Sequence, residues 1–156
     1  MEPVTTIMNR TLFDPAVLED VTARLRGLTP DAARQWGRMS APQMVAHLTD
    51  QMTHCLGDVP CRPERTFLHW PPIRHAAIYW IPWPKGRVQG PADAFVTRPV
   101  DWDTDLERLI GLVERFGASD PAADWPEHSL FGRMRGRDWG FFCYKHFDHH
   151  LRQFGR

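Results

Sequence analysis

The stretch KHFDHHLRQFG, Lys145 to Gly155, places three histidines within five residues. A neutral imidazole binds divalent metals through either ring nitrogen and exchanges protons near neutral pH, so such a cluster can do chemistry. On an ideal helix each residue advances about 100°, which sets His146 and His150 about 40° apart and roughly one turn along the axis. His149 lies about 60° to the other side of His146. Spacing alone leaves both an i,i+3 and an i,i+4 pair open. The stripe Trp139, Phe142, Cys143 continues by helical turns to His146, then to His149 or His150, then to Gln153. A stripe that begins in aromatic residues and ends in imidazoles points into a core. Unpaired polar rings there cost about 1–3 kcal/mol each unless something satisfies them. A divalent ion would do so, as would carboxylates and water. The plainer alternative is a solvated, frayed helix end.

A second source of polar groups lies upstream in MSAPQMVAHLTDQMTHCLG. Ser40 is an N-cap, Pro42 sits just inside, and Gly57 is a stop signal, which predicts a helix. Its apolar stripe is Met44, Leu48, Met52 and Cys55, so His47, Gln51 and His54 fall on or beside the inward face. His47 is the candidate for a third corner facing the last helix, although a lone core histidine is commonly satisfied by other means. Cys143, one turn before His146, is a possible fourth ligand, with a small buried apolar role as the simpler reading. His54 and Asp50 are expected at solvent, and His69, His75 and His128 to hydrogen-bond backbone.

Two further helices are predicted. In FDPAVLEDVTARLRGL, Asp14 caps, Pro15 opens the first turn, and Val17, Leu18, Val21, Leu25 and Leu28 recur at helical spacing. In DWDTDLERLIGLVERFGA, Asp101 or Asp103 caps a helix ending at Gly117. The last helix is expected from Arg137 or Asp138 to about Phe154. Between Asp58 and Val100 prolines, tryptophans and short apolar runs read as a long crossover. Pro82 and Pro84 exclude a central strand there and leave an edge strand through Ala76 to Trp80 open. The expected fold is all-α, a four-helix bundle with one long crossover between the second and third helices.

Composition is consistent with a single such domain. A chain of 156 residues buries roughly 70% of its unfolded surface. Apolar residues make up 42% and charged residues 24%, and the net charge is zero. Without a basic excess, nucleic acid lacks the electrostatic attraction that supplies most of its affinity. No segment is long and apolar enough to span a bilayer, and MEPVTTIMNR has no signal-peptide pattern, so a cytoplasmic protein without membrane or nucleic-acid partners is expected. Cys55, Cys61 and Cys143 lack CxxC spacing and read as reduced thiols.

The residues also carry a resemblance. HFDHHLRQ is similar to the HxxHHxxQ pattern that ends the DinB/YfiT-like metalloprotein superfamily, with His146, His149, His150 and Gln153 in the matching places. Further segments, WGRMSAPQMVAHL, PWPKG and HSLFGRM, resemble the branch of that superfamily catalogued as a domain of unknown function. The resemblance covers most of the chain from about Trp36. It implies an up-down-up-down DinB-like bundle, often a homodimer, with a metal triad on His47, His146 and His150. His149 and Gln153 then become neighbours of the triad, and Asp148 faces away; Cys143 and Gln51 are expected beside the ligand rings or in the pocket next to them.

Three imidazoles leave an open position on a divalent metal, zinc or nickel by preference, as catalytic rather than structural sites do. The resemblance implies a metal-dependent enzyme acting on a small-molecule substrate, a low-molecular-weight-thiol-dependent S-transferase or a hydrolase. Trp70, Trp80 and Trp83 could wall an entrance, though packing is the plainer role. The competing expectation is a non-catalytic, stress-associated binding bundle, because neither ligand helix carries a glutamate to act as general base. A third is an apolar ligand held under the crossover.

Overall fold

The computed structural model describes residues 10–86, 90 and 92–156. Among them are five α-helices, α1 (Pro15–Arg26), α2 (Ala41–Cys55), α3 (Pro71–Tyr79), α4 (Trp102–Gly117) and α5 (Gly136–Gln153). Two short 3-10 turns, Phe67–His69 and Ala92–Phe95, interrupt the connection between α2 and α4, and no strand occurs among the described residues.

The boundaries follow local chemistry. Asp14 accepts the Ala16 N–H at 2.9 Å and Pro15 occupies the first helical position of α1. Ser40 and Gln43 form a reciprocal capping box on α2, each side chain accepting the other's backbone N–H. Asp101 caps α4 through the Thr104 N–H. Gly57, at φ 76°, takes the left-handed conformation that ends α2.

Packing makes α2 the central element. Met44 through Met52 are buried without interruption, so α2 is enclosed on every side rather than on one stripe. Helix α4 packs against α2 and α1 through Leu109, Ile110, Val113 and Phe116, and α5 packs against α1, α2 and α3. Trp139, Phe147 and Leu151 of α5 are fully buried at these contacts.

Three expectations are corrected. Residues Ala76 to Trp80 are not an edge strand, because Pro71–Tyr79 is helical with prolines in its first turn. The Lys145 ammonium then donates to the Ala77 and Ile81 carbonyls, at 2.9 and 2.5 Å, covering orphan acceptors at the C-terminal end of α3. His54 is buried rather than at solvent, with Nδ1 against the Val59 carbonyl at 3.0 Å. Asp50 is also buried, and its carboxylate accepts the N–H groups of Val96 and Thr97 at 2.8 Å each and the Thr97 hydroxyl.

Candidate metal centre

A helix enclosed on all sides must satisfy every polar side chain it carries. Thr49 bonds back to the Val45 carbonyl at 2.8 Å, and Asp50 binds the backbone that follows the Ala92–Phe95 turn. His47 and Gln51, one turn apart, both reach toward α5. His47, His146 and His150 are all buried and offer ring nitrogens within 4.8 Å of one another. They lie close enough to hold one metal ion.

The outer nitrogen of each ring determines what the inner one can do. His47 Nδ1 lies 2.7 Å from the Ala94 carbonyl oxygen. His146 Nδ1 meets Gln51 Oε1, and His150 Nδ1 lies 2.9 Å from Gln153 Oε1. The Gln153 amide is oriented by its other end, whose Nε2 donates to the Trp36 carbonyl at 2.9 Å. Each Nδ1 therefore donates its hydrogen to an oxygen, which leaves Nε2 as a bare lone pair in a neutral ring. Burial first, and the neighbouring imidazoles second, push the His146 pKa well below its ordinary value; burial likewise lowers that of His47 and takes His150 to about 3. The rings are neutral at neutral pH.

The three lone pairs converge. His146 Nε2 lies 3.1 Å from His47 Nε2 and 3.0 Å from His150 Nε2. These are hydrogen-bond distances, but with the hydrogens on Nδ1 no proton stands between the nitrogens. Two nitrogens each about 2.1 Å from a common metal, at angles of roughly 90–110°, are about 3.0–3.4 Å apart. The residues present fit a divalent ion, and their Nδ1 partners form the outer shell that metal-binding histidines ordinarily have.

Other expected neighbours fall into place around this centre. Gln51 and Gln153 touch the ligand rings directly. His149 is half-buried on the same face of α5, between Trp36 and Trp83, at ring distances of 5.7 and 6.1 Å. Cys143 does not join the histidines; its sulfur lies 3.7 Å from that of Cys55, and both thiols are free. Asp148 pairs with Arg24 and Arg152, at 2.9 and 2.8 Å. Trp83 packs 5.6 Å from the His146 ring, whereas Trp70 and Trp80 are each 63% exposed and lie against no ligand ring. His128 accepts the Leu130 and Phe131 N–H groups, and His69 Nε2 approaches the Ser129 carbonyl at 3.4 Å. His75 instead packs against Tyr79 and Trp80.

Sequence reasoning missed the parts that come from the crossover. Phe95 stacks on His47 at 4.4 Å and 11°, and Ala94 supplies that ring's acceptor. A backbone carbonyl has no side-chain signature. Asp50, three residues after His47, is the one signal that could have pointed to this turn.

A chain whose described residues form helices and no strand, with a buried three-histidine cluster in which each ring is oriented by an oxygen partner, is thus the class that fold and site define. The chain belongs to the family described as protein of unknown function DUF1569, whose model matches residues 8–156. No curated protein and no solved structure matches it.

Proposed function

We propose that this chain is a metal-dependent enzyme of the DinB-like superfamily, in which His47, His146 and His150 hold a divalent cation, zinc or nickel. The observation that carries the reading is the convergence of three Nε2 lone pairs whose Nδ1 hydrogens are all engaged elsewhere. In such a bundle α1, α2, α4 and α5 would be the up-down-up-down helices and α3 part of the crossover; the packing of α4 on α1 and α2 and of α5 on α1 and α2 supports this. A bound ion would supply Lewis acidity and lower the pKa of a coordinated water or thiol. The reaction that fits is S-transfer from a low-molecular-weight thiol, or hydrolysis, on a small molecule in a homodimeric protein. The chain's own part is to hold three neutral imidazoles in one tautomer, to exclude bulk water with Phe95 and Trp83, and to leave one side of the cluster for substrate.

The test is metal analysis of protein purified without a polyhistidine tag, with His47→Ala beside it. Near-stoichiometric metal in the parent and loss in the variant are expected. Negligible occupancy after zinc, nickel and manganese supplementation would overturn the assignment.

One observation favours a non-catalytic, stress-associated binding bundle instead. The acids nearest the histidines on both ligand helices are committed: Asp50 to backbone and Thr97, Asp148 to two arginines. Turnover of an electrophile or ester panel with several thiols, abolished in His150→Ala, decides against it.

A further inference from the structure

Two segments singled out in the sequence, WGRMSAPQMVAHL and PWPKG, contribute side chains that the metal centre itself does not use. The start of the first and the end of the second meet in space. Gly37 and Gly86 both adopt positive φ, 79° and 67°, and a Cβ on Gly86 would stand 3.9 Å from the Gly37 nitrogen. The Gln153 amide nitrogen lies 2.5 Å from where a Gly37 Cβ would be, and the left-handed φ at both glycines favours that residue where this strip of backbone lies against α5. The result brings Trp36 and Lys85 together, with the Lys85 ammonium 4.5 Å above the centre of the Trp36 ring.

Trp36 is tied to the histidine cluster through a short relay. Its carbonyl accepts from Gln153 Nε2, and the other end of that amide holds His150. Its ring meets His149 edge-on, across from Trp83. Yet its indole Nε1 is buried and has no acceptor. A buried donor left unpaired costs about 1–3 kcal/mol, and such groups in native proteins call for an explanation. Lys85 has no carboxylate partner among the described residues. An N–H without an acceptor and an ammonium without a carboxylate among the described residues therefore meet at one indole ring next to the cluster.

We propose that Trp36 Nε1 and Lys85 Nζ form a subsite for the carboxylate of a small organic acid, whose apolar remainder lies along Trp83 toward the three histidines. One ammonium and one neutral donor match a monoanion with two acceptor oxygens, whereas a phosphate dianion needs more charge and more donors. The exposed lysine is the movable part, and the carboxylate enters on its side. This deepens the proposed function and rests on it, since it places the substrate beside the same three histidines, but its test does not require the metal.

Phenylacetate and its neutral analogue phenylacetamide are titrated into zinc-loaded and chelator-stripped protein, reading the indole 1H–15N resonances, with the Trp36 signal assigned by its loss in Trp36→Phe. Saturable movement of the Trp36 signal with phenylacetate, none with phenylacetamide, and about tenfold weaker binding in Lys85→Met are expected, the size of one charge-assisted hydrogen bond. Movement in the stripped protein upholds the subsite even where the metal reading fails. A Trp36 signal that stays still, or moves equally with the amide, overturns the proposal. So does unchanged phenylacetate affinity in Lys85→Met and Trp36→Phe with wild-type zinc content, because the carboxylate then binds the ion itself.

Discussion

Gln51 does more for the histidine cluster than its amide character suggests. It sits on α2, yet its oxygen fixes the tautomer of a histidine on α5. Outer-shell partners of this kind typically contribute 10–100-fold to metal affinity. Gln51→Leu, which fills similar volume but removes the acceptor, is expected to weaken zinc binding by about that factor in a competitive chelator titration while His146 stays in place. A smaller effect than threefold counts against the tautomer argument. The depressed histidine pKa values give a second prediction at this scale. Unfolded histidines protonate below pH 6.5, whereas His150 resists protonation to about pH 3 because burial penalises its charged form. The unfolded state thus binds more protons in that interval, and stability falls as pH falls from 6.5, by roughly 1 kcal/mol per pH unit from His150 alone. His47 and His146 shift in the same direction and add to the loss. Denaturant melts of metal-stripped protein between pH 7 and pH 5 check the sign; a flat or rising midpoint contradicts it.

At the scale of elements, the site is a junction of α2, α5 and the Ala92–Phe95 turn, and the three differ in how far the sequence discloses them. The stripe of α5 was legible because Trp139, Phe142, Cys143 and His146 repeat at a helical period, and Trp139, Phe142, Cys143, His146, His150 and Gln153 are buried as the stripe requires. The inward lean of His47 and Gln51 was legible for the same reason, although choosing His47 with His146 and His150 needed the family resemblance. Helix α3 was not legible. Nine residues are too few to display an amphipathic stripe, only Ile78 among them is buried, and the later prolines drew attention from Pro71 and Pro72 at its start. The turn was hidden because its contribution is a carbonyl and a ring held by a distant acid. Asp50 accepts three bonds from Val96 and Thr97 and so fixes where Ala94 and Phe95 meet His47. Asp50→Asn keeps the shape and removes the charge. It is expected to cost about 1–3 kcal/mol of stability, because a buried acceptor is replaced in part by a donor facing donors. It should also lower zinc affinity without touching a ligand. Unchanged affinity in a variant of reduced stability would show that the turn does not orient His47.

For the whole molecule, the helical class was foreseeable and the histidine cluster was foreseeable in position but not in detail. Caps, stop signals and apolar periods report on local backbone, and four of the five helices announce themselves that way. No helix among the described residues is long and apolar enough to cross a membrane. What local signals cannot report is which distant groups meet, and here the meeting partners are far apart in the chain, His47 and His146 being 99 positions from one another. That separation has a consequence for how the protein comes apart. An ion held between α2 and α5 is a removable cross-link across a loop of that length, and in the chain-entropy description a permanent link of roughly 100 residues is worth about 4–5 kcal/mol. A metal bound there would behave as a clasp. In protease-pulse or denaturant-jump experiments the zinc-loaded chain should open more slowly than the stripped one. Unfolding from the loaded state should also become dependent on chelator concentration, as it would not if the histidines were merely three more buried side chains.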